Sequence, residues 1–203
     1  GKSTLIAATL GLVKLQRGHI TWAHAPVKTC RPSLVMQEPR AAFNPALSLR
    51  RSILEPVIAR KETICETRFN QLCRRLELPL DMLLRKPCEV SIGQAQRAGI
   101  LRALIAGSPL ILFDEPLSAL DAVTQKHTAQ LIADLQRELG FAALIVTHDL
   151  GYAAAFSDDI VVLRDGRIEE ITPTSQFVQN PQSLYGCDLR AAAFALGALE
   201  YVA

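Results

Sequence analysis

At 203 residues, 49% of them apolar, the chain is long enough to bury one substantial core. Its formal net charge of +2 lacks the strong basic patch of a nucleic-acid binder, so no such partner is expected. No apolar run approaches a membrane span, the longest being Ala191 to Leu199, which reads as a terminal helix packing on the body. The five cysteines (Cys30, Cys65, Cys73, Cys88 and Cys187) are odd in number, scattered and without a C-x-x-C pair. They indicate neither a zinc site nor a disulfide framework, and read as reduced thiols of a cytosolic protein.

The chain opens on Gly1-Lys2-Ser3-Thr4, the last four residues of the pattern G-x-x-x-x-G-K-[ST]. In such a loop the backbone amides and the lysine hold phosphates, and the hydroxyl that follows binds Mg²⁺. With the glycine-rich half and an initiator methionine both missing, the sequence reads as a piece that begins inside its own loop. A helix is expected from Thr4 to Leu12, stopping near Gly11, then strands over Gly18 to Trp22 and Ser33 to Met36 that lead to Gln37.

From Arg40 to about Leu104 the character changes. Prolines at Pro45, Pro56, Pro79 and Pro87 punctuate helical patches such as Glu66 to Leu78, with no strand-like alternation, which reads as a helical insertion. Ser91 then starts a helix towards Ala106, with Gln94 three residues on to complete a capping box.

Leu110-Ile111-Leu112-Phe113-Asp114-Glu115-Pro116 is an apolar run ending in two carboxylates. It suits a strand buried in a parallel sheet, with its acids at the carboxyl edge where ligands bind. One acid there can serve Mg²⁺ through a water while its neighbour takes a proton from a nucleophilic water. Taken alone, the segment reads equally as a core strand running into an acidic turn. A helix over Ala122 to Leu139, a strand over Ala142 to Thr147 and a helix near Leu150 to Phe156 follow, an alternation that argues for a parallel α/β sheet. Asp165-Gly166, between Asp159–Leu163 and Arg167–Ile171, is a hairpin turn signal.

Taken in order, Gly1-Lys2-Ser3-Thr4, Gln37, Ser91-Ile92-Gly93-Gln94-Ala95-Gln96-Arg97, the Asp114–Glu115 strand, Ser118-Ala119-Leu120-Asp121 and the strand-end His148 span nearly the whole chain. This order resembles the ATP-binding subunits of ABC transporters. The run Val35-Met36-Gln37-Glu38-Pro39-Arg40-Ala41-Ala42-Phe43-Asn44-Pro45 resembles the oligopeptide, dipeptide and nickel importer branch.

The resemblance implies a P-loop NTPase fold, a RecA-like parallel-sheet α/β core with an inserted helical subdomain, lacking the start of the fold. It implies one domain over 1–203, with 1–40 and 105–203 as the α/β core and about 41–104 as the helical subdomain with the signature loop. ATP and Mg²⁺ are the implied ligands. Gly1, Lys2, Ser3 and Thr4 would hold phosphate, and Ser3, Gln37 and Asp114 the metal. Glu115 would be the general base, with Gln37 near the attacking water and His148 at the γ-phosphate. Ser91, Gly93 and Gln94 would face ATP held by an opposing subunit, and Asp121 would sit where the subunits cross. His19, His24 and His127 have no such context and read as surface residues. The sequence departs from the family's LSGGQ at two places, with Val90 for the leucine and Ile92 for the first glycine. A β-branched residue there resists positive φ and narrows the approach to phosphate.

The implied partners are a second ABC ATPase subunit forming a heterodimer, two membrane permease subunits and, indirectly, a solute-binding protein, on the cytoplasmic face of the membrane. The expected function is coupling of MgATP hydrolysis to import of peptides, nickel or a related solute. Two rivals stand beside it: a weakly hydrolytic, nucleotide-gated dimerisation module, which Ile92 favours, and a non-transport ABC ATPase, which a long coiled-coil insertion or a basic stripe would favour.

Overall fold

The computed structural model describes residues 1–199. The centre of the molecule is strand β4 (Leu110–Asp114), paired in parallel with β3 (Ser33–Val35) on one side and β5 (Ala142–Val146) on the other. Its register sets Ser33 against Ile111 and Asp114 against Val146. Because side chains alternate across a strand, Leu110 and Leu112 face one side of this sheet and Ile111 and Phe113 the other. Leu112 and Phe113 are both 0% exposed, so β4 is covered on both faces, as a parallel strand must be.

The two faces belong to different cores. Leu110 and Leu112 join Ile6 of helix α1 (Lys2–Thr9), Val27 and Val146. Ile111 and Phe113 join a larger cluster built by helices α2 (Leu49–Ala59), α3 (Glu66–Arg75) and α4 (Ile92–Ile105). Leu49, Ile53, Phe69 and Leu101 are 0% exposed in that cluster, each worth about 1.5–3 kcal/mol of burial. Between β3 and β4 the described chain holds only helices, including the short 3₁₀ turns Met82–Leu84 and Pro87–Glu89.

Helix α5 (Ala122–Leu139) lies between β4 and β5 and ends on Gly140 at φ +70°, a left-handed cap that glycine adopts at little cost. Helix α6 (Leu150–Phe156) precedes an antiparallel hairpin of β6 (Asp159–Arg164) and β7 (Arg167–Pro173), which turns at Asp165-Gly166. Helices α7 (Thr174–Gln179) and α8 (Leu184–Ala195) close the described chain.

Three expectations are corrected, and one helix is added. The strand over Gly18–Trp22 shrinks to β1 (Thr21–Trp22), paired with β2 (Ala25–Pro26) in a two-residue hairpin. Its turn residues Ala23 and His24 sit at φ +47° and +64° without any glycine to advertise them. Pro56 lies inside α2 instead of ending a helix. The terminal helix starts at Leu184 and ends at Ala195, not over Ala191–Leu199, because Ser183 caps it by accepting from the Gly186 amide at 2.9 Å. Helix α7 has no counterpart in the sequence reading.

Candidate active site

The acids stand at the carboxyl end of β4 for a local reason. Burial on both faces fixes Leu110–Phe113, and the strand delivers Asp114 and Glu115 to the sheet edge. Glu115 then leaves the strand at φ +46°, a left-handed conformation that non-glycine residues avoid and that costs on the order of 1–3 kcal/mol. Three backbone bonds hold it there. Its amide donates to the Val146 carbonyl at 2.9 Å, and its carbonyl accepts from the Ser118 amide at 3.3 Å and the Ser118 hydroxyl at 3.0 Å.

Two side chains converge on one oxygen of that carboxylate. Gln37 Nε2 donates to Glu115 Oε2 at 3.1 Å, and His148 Nδ1 lies 3.3 Å from the same atom. Gln37 arrives from the loop after β3. His148 sits in the turn between β5 and α6, where the Asp149 amide donates to Thr147 Oγ1 at 3.0 Å and Asp149 Oδ1 accepts from the Tyr152 amide at 2.9 Å. The Glu115 side chain is 21% exposed and that of His148 68%, so the carboxylate is recessed while the imidazole opens to solvent. Beside it, Asp114 Oδ1 is buried and has no hydrogen-bond partner among the described residues. A buried carboxylate oxygen without a donor is costly unless something else supplies one.

Lys2, Ser3 and Thr4 form the exposed first turn of α1, whose cap residue Gly1 offers no side-chain acceptor. The turn's amides are therefore open to an anion. Gly1 lies against the β6–β7 turn, where an added Cβ would stand 3.5 Å from Gly166 Cα. Among the described residues no hydrogen bond joins Lys2, Ser3 or Thr4 to the two acids.

Ser91, Gly93, Gln94 and Asp121 make a second cluster. Ser91 Oγ accepts from the Gln94 amide at 3.1 Å while Gln94 Oε1 accepts from the Ser91 amide at 2.9 Å, so the expected capping box is present. A Cβ on Gly93 would meet Thr124 Cγ2 at 3.5 Å and Leu120 Cδ2 at 3.8 Å, which sets this loop against the start of α5. There Asp121 Oδ1 accepts from the Thr124 amide at 3.0 Å and Oδ2 from its hydroxyl at 2.7 Å. These bonds hold the Asp121 carboxyl below its ordinary range.

Ile92 needs a correction. The sequence sets it against a positive φ, but it is the first residue of α4 and is absent from the left-handed residues of the described chain. It is 42% exposed, so there is no backbone strain for a glycine to relieve.

Two further residues were not singled out from sequence. Gln125 Nε2 donates to both Leu117 O and Leu120 O at 3.0 Å, clamping the loop that follows Glu115. Its position one helical turn after Asp121 is the signal that could have found it. Arg40 donates to the Val90 carbonyl, tying the loop of Gln37 to the residue before Ser91.

A family model described as "ABC transporter" matches residues 1–118. The chain is 33% identical to the oligopeptide transport ATP-binding protein OppF of Escherichia coli (strain K12), over 95% of this chain and 62% of that protein. It is also 33% identical to the glutathione import ATP-binding protein GsiA of Pectobacterium atrosepticum, over 95% of this chain and 33% of that one. The chain thus spans less than two thirds of these relatives' length. Among solved structures, the ATP-binding cassette MJ0796, in a dimeric post-hydrolysis state bound to ADP and Pi, superposes with a TM-score of 0.73 at 29% identity, covering 86% of this chain and 81% of that one.

Proposed function

The chain belongs to the ABC transporter family, and from that premise we propose that it is the ATP-hydrolysing subunit of an importer for peptides or a related small solute. The observation that carries this reading is the convergence of Gln37 and His148 on Glu115 Oε2 at the end of β4. That arrangement orients a recessed carboxylate for one task, taking a proton from water beside a bound triphosphate.

The residues present suit ATP and Mg²⁺. The partnerless Asp114 Oδ1 is an oxygen donor of the kind a hard cation takes, and the Ser3 hydroxyl and Gln37 would complete the protein's share. Bound Mg²⁺ supplies charge neutralisation on the phosphates and fixes their orientation. Lys2 and the open amides of α1 bind the phosphate oxygens. Glu115 accepts the proton of the attacking water at its carboxylate, while Gln37 and His148 keep that carboxylate from turning away. His148 is exposed enough to reach the γ-phosphate as well.

Ser91, Gly93 and Gln94 point their helix start outward and serve ATP on an opposing subunit, with Asp121 near the crossing. The opposing subunit is a related but different ATPase chain, and two permeases and a solute-binding protein complete the assembly at the cytoplasmic face of the membrane. Among the described residues no helix is long and apolar enough to cross a membrane, so attachment falls to the permeases in this reading. We read residues about 41–104 as the helical subdomain of a single ATPase domain. With Ile92 seated normally in α4, the reading as a weakly hydrolytic dimerisation module loses its argument from backbone strain at Ile92, while the convergence of Gln37 and His148 on Glu115 weighs against it.

Reconstitution with the neighbouring permeases in vesicles tests the proposal, with a labelled tripeptide and Ni²⁺ as alternative cargoes. Uptake of one of them that depends on MgATP is expected. Hydrolysis without uptake of either would sink the importer reading, and absence of hydrolysis would sink the ATPase reading.

A further inference from the structure

One cavity among the described residues lies away from the acids. It measures about 410 Å³ and is bounded by the lead-ins to β3 and β4, at Cys30–Arg31 and Gly107–Ser108, and by the segment from the end of α2 to the start of α3. The lead-in to β4 and Asp114 mark opposite ends of a five-residue strand, which at about 3.3 Å per residue puts the cavity on the order of 15 Å from the acid site.

Its charge is unbalanced. Arg31, Arg60 and Arg68 line it against a single acid, Glu62. Arg60 Nε donates to Glu62 Oε1 at 2.8 Å, so that pair is internally satisfied. Arg31 and Arg68 make no ion pair and no side-chain hydrogen bond among the described residues. The hydrogen bond from Arg60, with the field of Arg31 behind it, holds the Glu62 carboxyl below its ordinary range, so Glu62 stays ionised and committed to Arg60. Val57, Ile64 and Ile105 give the same cavity an apolar wall. Guanidinium groups are weakly hydrated forks that match oxyanion geometry, and a concave site joining them to an apolar wall suits a small amphipathic anion.

We propose that this cavity binds a small organic oxyanion, a phosphate or carboxylate carried on a short apolar body, between Arg31 on the strand side and Arg68 on the helical side. Bound there, the anion ties the lead-in of β3 to the first turn of α3. It braces the junction between sheet and helices without touching Glu115.

Calorimetry on the full chain tests this with phenyl phosphate and benzoate as probes and benzamide as the uncharged control. At least one charged probe should bind saturably and benzamide about tenfold more weakly or not at all. The double variant Arg31→Gln/Arg68→Gln should weaken binding by about tenfold or more, while Lys2→Gln leaves it unchanged. In the unmodified chain the bound probe should slow alkylation of Cys65, which lines the cavity, and leave exposed Cys187 unaffected. That readout needs no substitution, so a double variant that fails to fold does not rescue the idea. Failure of both probes to saturate, equal binding of benzamide, or loss of binding with Lys2→Gln would each overturn the proposal. The ATPase reading is judged separately, since no step of this test uses ATP.

Discussion

Glu170 shows how one buried charge organises the outer part of the molecule. It is 6% exposed, and its carboxylate accepts from the Gln182 amide at 2.8 Å and from the Ser183 amide and hydroxyl, each at 2.9 Å. An added Cβ on Gly186 would stand 2.7 Å from both Glu170 Oε2 and Ser183 Oγ, so a side chain there would push this carboxylate–hydroxyl pair aside. Burial pushes the Glu170 carboxyl up, but the three donors outweigh it and hold the group below its ordinary range. A depressed folded pKa stabilises the protein above the unfolded value of about 4.3, and that contribution is lost as pH falls through the folded value. Glu170→Gln should therefore cost about 1–3 kcal/mol at neutral pH. The gap to the unmodified chain should narrow as pH falls below about 4.3 and close once pH passes the folded value. Denaturant unfolding at pH 7 and pH 3 reads both; a gap that is no narrower at the lower pH would mean that the charge is not what matters. At the acid site the corresponding residue is Gln125. Gln125→Ala frees Leu117 O and Leu120 O, and should lower the hydrolysis rate with little change in nucleotide affinity, as steady-state kinetics of the assembled transporter would show.

Helix α4 is the element on which sequence and structure agree best and disagree most usefully. Its capping box at Ser91 and Gln94 and its end near Ala106 are written in the residues, because caps and punctuation are local. Ile92→Gly should cost about 0.5–1 kcal/mol of stability and give no gain in hydrolysis, since the first helical position asks for no left-handed backbone. Thermal unfolding and steady-state ATPase of the two versions, each in the same proposed assembly, check this; a faster glycine variant would reinstate Ile92 as an obstruction. The same locality explains what else was readable. Helix α5 falls on Ala122–Leu139 as expected, capped by Asp121, and the β6–β7 hairpin turns at Asp165-Gly166. What the residues did not reveal either lacks the usual marker residue or depends on contacts distant in sequence. The β1–β2 turn uses Ala23 and His24 in place of a glycine, and the start of α8 is held by Glu170 thirteen residues before Ser183. The site shows the same division. Asp114, Glu115 and His148 could be picked out by their strand ends, but that Gln37 and His148 share one oxygen of Glu115 is a property of the folded chain alone.

On the scale of the whole molecule, two cores hold one strand. Leu112 is pressed from the α1 side and Phe113 from the helical side, so β4 has little freedom to move. The loops around it are tied to that frame. Arg40 bonds the carbonyl before Ser91, and Arg102 of α4 donates to the Ala42 carbonyl while lying 4.7 Å from the centre of the Phe43 ring. A displacement of α4 would therefore be felt at the loop of Gln37, and through Gln37 at Glu115. In the proposed function Glu115 is the base, and it stands at the meeting point of these ties. The most direct measurement is phosphate release by Glu115→Gln in the assembled transporter, alongside ATP binding. The amide keeps the shape of the side chain and cannot take the proton, so ATP affinity should be unchanged while turnover falls by about 100-fold or more. Turnover near the unmodified rate would contradict the account.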